Sequence, residues 1–295
     1  MLRPRHLFLP LVLCLGACAP ASYDLPPLAG GADRLPGKVV WHDLITDTPE
    51  ATERFYGELF GWTFDPVPGV NYRLIRHDGR AIGGLVDQGR LPVEEDISQW
   101  VALLAVDDIE AAAAAVGPAG GRLLTPPTSL GRRGRVAVAA DPEGAVFALL
   151  ETGEGDPPDR SQPPAPGGFL WDELWAVDTA GAAAFYRGLL PYESETLALA
   201  GELDYTVLSA AGRPRAGIRP HPLADSAPLW VNYLRVADLA ALEDILTRVE
   251  DLGGRVLQPA TARPAGGYLA VLQGPSGAGI ALQTWPLEPA PERLP

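Results

Sequence analysis

From Val39 to Thr46 apolar residues dominate in the short, extended rhythm of a strand, and the period then changes. Pro49 stands where a helix begins, Ala51, Phe55, Leu59 and Phe60 follow at helical spacing, and Gly61 stops the run. Trp62-Thr63-Phe64, Tyr72 to Arg76 and Ala81 to Val86 return to strand character, with His77-Asp78-Gly79 as the turn of a hairpin between the last two. These five elements make one βαβββ unit. The order recurs at once: Trp100 to Val106 as strand, Ile109 to Val116 as an alanine-rich helix, then Arg122 to Leu124, Arg135 to Ala139 and Ala145 to Glu151 as strands, with Asp141-Pro142-Glu143-Gly144 as a turn.

The whole arrangement is then repeated. Trp41-His42-Asp43-Leu44 reads against Trp171-Asp172-Glu173-Leu174, Phe55-Tyr56 against Phe185-Tyr186, and Trp100-Val101 against Trp230-Val231, each at an offset of 130. Small insertions move the offset to 133 for Tyr72 against Tyr205, Gly120-Gly121-Arg122 against Gly253-Gly254-Arg255, and Pro142 against Pro275. The fold expected is therefore α+β, four βαβββ modules in two domains at 37–152 and 168–286. Residues 153–167, rich in proline and acids, read as a semi-rigid linker, 18–36 as a tether, and 287–295 as a tail.

The first 17 residues have a different layout. Arg3 and Arg5 precede an apolar run from Leu7 to Leu15, which ends in Gly16, Ala17 and Cys18. The run is far short of the ~20 residues a bilayer span needs, so a signal peptide is the better reading. Leu15-Gly16-Ala17-Cys18 resembles a bacterial lipobox, which implies cleavage after residue 17, acylation of Cys18, and a cell-envelope protein anchored through lipid. Ala19 at the next position implies the outer membrane, facing the periplasm, in a Gram-negative cell. The only other cysteine, Cys14, leaves with the peptide, so no disulfide is expected. Across the 295 residues, 37 acids outweigh 23 bases for a net charge of −14. That balance excludes nucleic acid as a partner, since phosphate binding needs clustered cations.

The runs Trp41-x-Asp43-Leu44-x-Thr46, Phe55-Tyr56-x-x-Leu59-Phe60-Gly61-Trp62, Trp100 to Val106-Asp107-Asp108 and Asp141-Pro142-x-Gly144-Ala145 resemble the glyoxalase/bleomycin-resistance group of the vicinal oxygen chelate superfamily, in its two-domain bacterial form. The resemblance implies that each pair of modules curls into a cup for a small ligand, and that a divalent metal is held by side chains from the first and last strand of each unit. Here the first-strand positions fall on Trp41 and Trp171, whose indoles cannot ligate. Glu151 occupies the place of the final carboxylate ligand, His42 lies one residue from the first position, and Thr284 with Gln283 stands in the second copy. A metal site built from Glu151 and His42 is the weaker expectation, and no cofactor is assigned.

If Trp41 faces the concave side, so does Asp43, and Trp171 and Glu173 match them in the second copy. Tyr72 and Tyr205 sit at equivalent strand positions, while Tyr233 and Arg235 replace Leu103 and Ala105 and make the second cup the more polar. These eight residues are the ligand-binding candidates. Plain core tryptophans, or an Arg235–Glu173 ion pair, explain the same pattern. No nucleophile with a paired histidine, GxGxxG or Walker sequence appears. The expected function is binding or sequestering a small organic molecule without metal. A metal-dependent lyase, isomerase or dioxygenase with a rebuilt site, or an envelope scaffold with filled cups, remain the alternatives.

Overall fold

The computed structural model describes residues 23–197, 205–222, 226–263 and 266–286; the signal segment, Cys18 and the tail lie outside them. The first domain runs β1 (Val39–Thr46), α1 (Pro49–Phe60), β2 (Thr63–Pro66), β3 (Arg73–His77), β4 (Arg80–Asp87), β5 (Gln99–Ala105), α2 (Ile109–Val116), β6 (Arg122–Ser129), β7 (Gly134–Ala140) and β8 (Val146–Thr152). The second repeats it as β9 (Phe169–Ala176), α3 (Thr179–Leu189), β10 (Glu193–Leu197), β11 (Tyr205–Ala210), β12 (Arg213–Pro220), β13 (Leu229–Val236), α4 (Leu239–Arg248), β14 (Arg255–Ala262), β15 (Tyr268–Gln273) and β16 (Gly279–Thr284).

Local chemistry explains the boundaries. Gly61 ends α1 in the left-handed region at φ 69°, where a side chain would be strained. Asp108, Asp178 and Asp238 each accept a backbone N–H three residues on, at 3.0, 2.9 and 2.8 Å, and so start α2, α3 and α4.

Each domain is one eight-stranded mixed sheet, in the orders β2-β3-β4-β1-β5-β8-β7-β6 and β10-β11-β12-β9-β13-β16-β15-β14. The leading strands of the two modules pair antiparallel at the centre, β1 with β5 and β9 with β13, and each runs parallel to the last strand of its own module. The four helices lie between the sheets. One core joins Leu44, Phe55 and Leu59 of the first domain to Leu234, Leu242 and Leu272 of the second, and another joins Val116 and Phe147 to Phe185 and Tyr186. At the centre the His42 ring stacks on Phe169 with centroids 3.8 Å apart, and its Nε2 lies 2.8 Å from Asp172 Oδ1, which also accepts from Asn232 Nδ2 at 2.7 Å. Because strand side chains alternate, the concave faces then look in opposite directions. Among the described residues no helix is long and apolar enough to cross a membrane.

The segment expected to be a tether is folded onto the first domain from Tyr23 onward. Leu25 and Leu28 are buried in one cluster with Trp41, Tyr72, Leu103 and Leu150, on the concave face. Leu25 N donates to Leu130 O at 3.0 Å, and buried Asp156 accepts Leu35 N at 2.5 Å and donates its own N–H to Asp33 O at 2.9 Å. Two leucines at this spacing gave no period of their own, and their burial depends on a partner more than ten residues away in sequence. The linker is fixed likewise: Trp62 Nε1 donates to Gly167 O at 2.9 Å, and Arg160 Nη1 to Phe169 O at 3.1 Å. Gly37 and Gly167, both at φ 86°, turn the chain into β1 and β9 respectively, so tether and linker occupy equivalent places before their domains.

Candidate ligand-binding site

One constellation is built twice, once in each cup. In the first, Trp41 Nε1 donates to Tyr72 Oη at 2.8 Å and Tyr72 Oη donates to Asp43 Oδ1 at 2.5 Å. In the second, Trp171 Nε1 donates to Tyr205 Oη at 2.8 Å and Tyr205 Oη to Glu173 Oε1 at 2.9 Å. Indole and acid come from the same strand, two residues apart and hence on one face; the tyrosine reaches them from a neighbouring hairpin. Gly84 and Gly217 make this possible. A Cβ at either would lie 1.9 or 2.0 Å from the tyrosine hydroxyl, so the strand between must carry no side chain there. We expect Gly217→Ala to push Tyr205 off Glu173 at a cost of about 1–3 kcal/mol. Chemical denaturation measures it, and a loss under about 0.5 kcal/mol, within the usual range of neutral surface changes, would contradict the packing described.

The third partner of each acid sets the cups apart. In the first, Arg133 lies over Trp41 and Tyr72, 4.6 and 5.1 Å from the ring centroids, donates from Nη1 to Tyr72 Oη at 2.7 Å, and from Nε to Pro26 O at 3.1 Å. Only 1% exposed, it fills the space together with Leu25 and Leu28. Burial raises the pKa of Asp43 above the ordinary carboxylate value, and the Arg133 charge opposes that rise. In the second cup Tyr233 donates a short hydrogen bond to Glu173 Oε2, and Trp175 Nε1 a longer one at 3.3 Å. Burial and the Glu173 charge push the phenols of Tyr205 and Tyr233 far up, so both stay protonated donors at any physiological pH.

The turn between the sixth and seventh strands of each domain explains the difference. Leu130 N bonds Gly134 O at 2.8 Å, and Arg263 N bonds Gly267 O at 2.9 Å, so the same hydrogen bond closes both turns at the offset of 133. Arg133 then corresponds to Gly266, and Leu130 to Arg263. Where the first cup inserts a guanidinium, the second has no side chain. A cavity of about 550 Å3 opens there, between Trp171, Glu173, Tyr205, Tyr233, Arg263 and Gln283, with Ser161 to Pro164 of the linker and Trp285 as further wall. That volume lies in the range of small-molecule sites.

Five of the other six candidate side chains from the sequence thus gather around the two acids, Asp43 and Glu173. Arg235 does not. Its Nη1 donates to Pro164 O at 2.6 Å and its Nε to Trp285 O at 3.1 Å, so it neither pairs with Glu173 nor reaches a ligand; it clasps the linker to the last strand's exit. A guanidinium at the end of β13 finds carbonyls of neighbouring chain segments before it finds the cup. Glu151 also needs correction. Leu150 faces the cup, so Glu151 points to the helices, where its Oε2 accepts Ile109 N at 3.1 Å at the start of α2. His42 is likewise on the helix side, spent on Asp172.

These placements decide whether the superfamily's metal fits. Facing the cups from the first and last strands of the modules are Trp41, Val101, Leu103 and Leu150 in the first domain, and Trp171, Tyr233 and Gln283 in the second. A divalent ion ordinarily needs three or more protein donors. Each cup supplies one carboxylate, already engaged by neighbouring donors, and among the described residues no three His, Cys, Asp or Glu side chains gather. The residues present do not fit a metal. Sequence reasoning missed Arg133, Arg263 and the paired glycines; the offset of 133 aligns all of them, but only the fold shows that a turn reaches into the cup.

Comparison with known proteins gives the same architecture. Residues 39–150 match the profile of a glyoxalase-like domain. CFP32 of Mycobacterium bovis, named a candidate glyoxylase, is 29% identical over 257 residues, covering 86% of this chain and 95% of that one. The anthracycline biosynthesis protein DauV of a Streptomyces species is 29% identical over 267 residues, covering 84% and 93%. Among solved structures, the Mn(II)-bound glyoxalase of Novosphingobium aromaticivorans superposes with a TM-score of 0.58 at 16% identity, covering 85% of this chain and 83% of that one. The 2,2',3-trihydroxybiphenyl 1,2-dioxygenase of Sphingomonas wittichii does so with 0.56 at 16% identity, covering 85% and 91%. The fold is the one these two solved structures share. Within that fold, residues 39–150 are similar to a glyoxalase-like domain.

Proposed function

We propose that this protein binds a small organic molecule in its second cup, without a metal ion, and is held at the cell envelope by lipid on Cys18. The observation that carries the reading is the cavity of about 550 Å3 over Glu173, set against a first cup already filled by Arg133, Leu25 and Leu28. Trp171 and Trp285 supply flat apolar wall and Glu173, Tyr205, Tyr233 and Gln283 supply orienting polar groups, the mixture that small-molecule sites use. The relative named for anthracycline biosynthesis fits a small organic ligand, whereas the metal-bound neighbours favour an enzyme. The donor set weighs against the second.

Extraction of denatured protein followed by mass spectrometry tests the ligand. A compound is expected from wild type and from Trp41→Leu, and is expected to be lost from Trp171→Leu; retention in Trp171→Leu with loss in Trp41→Leu would place binding in the wrong cup. For the anchor, Cys18→Ser is expected to move the protein from the membrane to the soluble fraction, and unchanged fractionation would refute it. Only five residues of chain reach from Cys18 to the docked Tyr23, at most about 18 Å when extended. The reading therefore has the first domain near the bilayer and the second cup, on the opposite face, open to the aqueous compartment.

A further inference from the structure

Most of this chain's charge is negative, but the described lining of the second cup is not. At physiological salt, charges more than about 8 Å apart are largely screened, so a ligand in the cup meets its lining and not the net charge of −14. Arg160 and Arg263 are among the residues that line the cavity, and among the described lining residues Glu173 is the one carboxylate. Glu173 already accepts hydrogen bonds from Tyr205, Tyr233 and Trp175. Arg263 reaches Gln283 Oε1 at 2.8 Å, and both residues line the cavity. Arg160 Nη1 donates to Phe169 O at 3.1 Å; burial and neighbouring Arg80 disfavour its charge, and Asp172 favours it.

The repeat makes the point sharper. In passing from the first cup to the second, the turn loses Arg133 to Gly266 and gains Arg263 in place of Leu130. The positive charge is kept while the space it filled is vacated. The remaining wall, Trp171, Trp285, Leu170, Pro163 and Pro164, is apolar and largely flat.

We infer that the second cup selects an aromatic or conjugated molecule carrying a single negative charge, its ring against Trp171 and its anionic group toward Arg263 and Arg160. This rests on the second cup being the ligand site. A guanidinium paired with a carboxylate or sulfonate is roughly twice as strong as a neutral hydrogen bond and is directional, which is what a site needs to discriminate by charge.

Three probes sharing one ring system separate the possibilities: 2-naphthoate, 2-naphthylmethanol and 2-naphthylmethylammonium, titrated by calorimetry into the full mature protein. Naphthoate is expected to bind about tenfold more tightly than the alcohol, and the ammonium more weakly than either. In Arg263→Gln the naphthoate-to-alcohol ratio is expected to fall toward one, and Arg160→Gln is expected to lower it as well, should Arg263→Gln fold poorly. Arg187→Gln, an exposed charge on α3, is expected to leave the ratio intact. Equal affinity for naphthoate and alcohol, or preference for the ammonium, would overturn the charge assignment while leaving the second cup as a ligand site. Binding of none of the three would overturn both.

Discussion

Arg133→Ala is expected to destabilise the folded chain by about 3–5 kcal/mol, the range seen when one partner of a buried charge arrangement is removed. Three losses combine. Tyr72 Oη loses a donor at 2.7 Å, Pro26 O loses one at 3.1 Å, and the faces of Trp41 and Tyr72 lose the cation stacked on them. Asp43 then loses the largest influence that opposes its desolvation, and its pKa should rise further. The sign follows: an acid whose folded pKa is raised is penalised when ionised, so the defect should shrink as pH falls toward the ordinary carboxylate value and be fully expressed at neutral pH. Pairing the change with Asp43→Asn, as Arg133→Met with Asp43→Asn, should restore at least half the loss at pH 7. Urea unfolding at two pH values measures all of this. A cost below about 1 kcal/mol, or no recovery in the double variant, would mean that the guanidinium is an ordinary surface charge.

The second large effect concerns the segment before β1. Leu25→Ala with Leu28→Ala should cost about 4 kcal/mol or more, since each removes a nearly buried leucine from the cluster around Trp41 and Tyr72 and each such truncation ordinarily costs 2–5 kcal/mol. The double variant should also open a cavity in the first cup, and binding of an apolar fluorescent dye there should rise above wild type. If the segment were a free tether, both changes would be silent, within about 0.5 kcal/mol.

Architecture was legible in the sequence because it is written in periodicity and in a repeat. The strand Val39–Thr46, the helix Pro49–Phe60 and the helix Ile109–Val116 end where alternation, proline and glycine place their ends. Much of the candidate site was legible as well, since Trp41, Asp43, Trp171 and Glu173 need only the two-residue alternation of a strand to share a face. The failures have a common physical cause. Arg133, Arg235 and the segment around Leu25 find partners 61, 71 and 105 residues away in the chain, through turns and loops whose direction no local period encodes. Glu151 failed for a smaller reason. Counting from a turn misplaced it by one residue, and in a strand one residue is the other face.

Metal content decides whether the second cup works without a metal ion. Protein purified without chelators, and equilibrated with zinc, manganese, nickel and iron before desalting, should retain well below one equivalent of any of them, while native mass spectra show an organic adduct of one molecule per chain. Near-stoichiometric retention of one of these metals, lost in Glu173→Gln or in a Gln283→Ala variant, would contradict a metal-free cup.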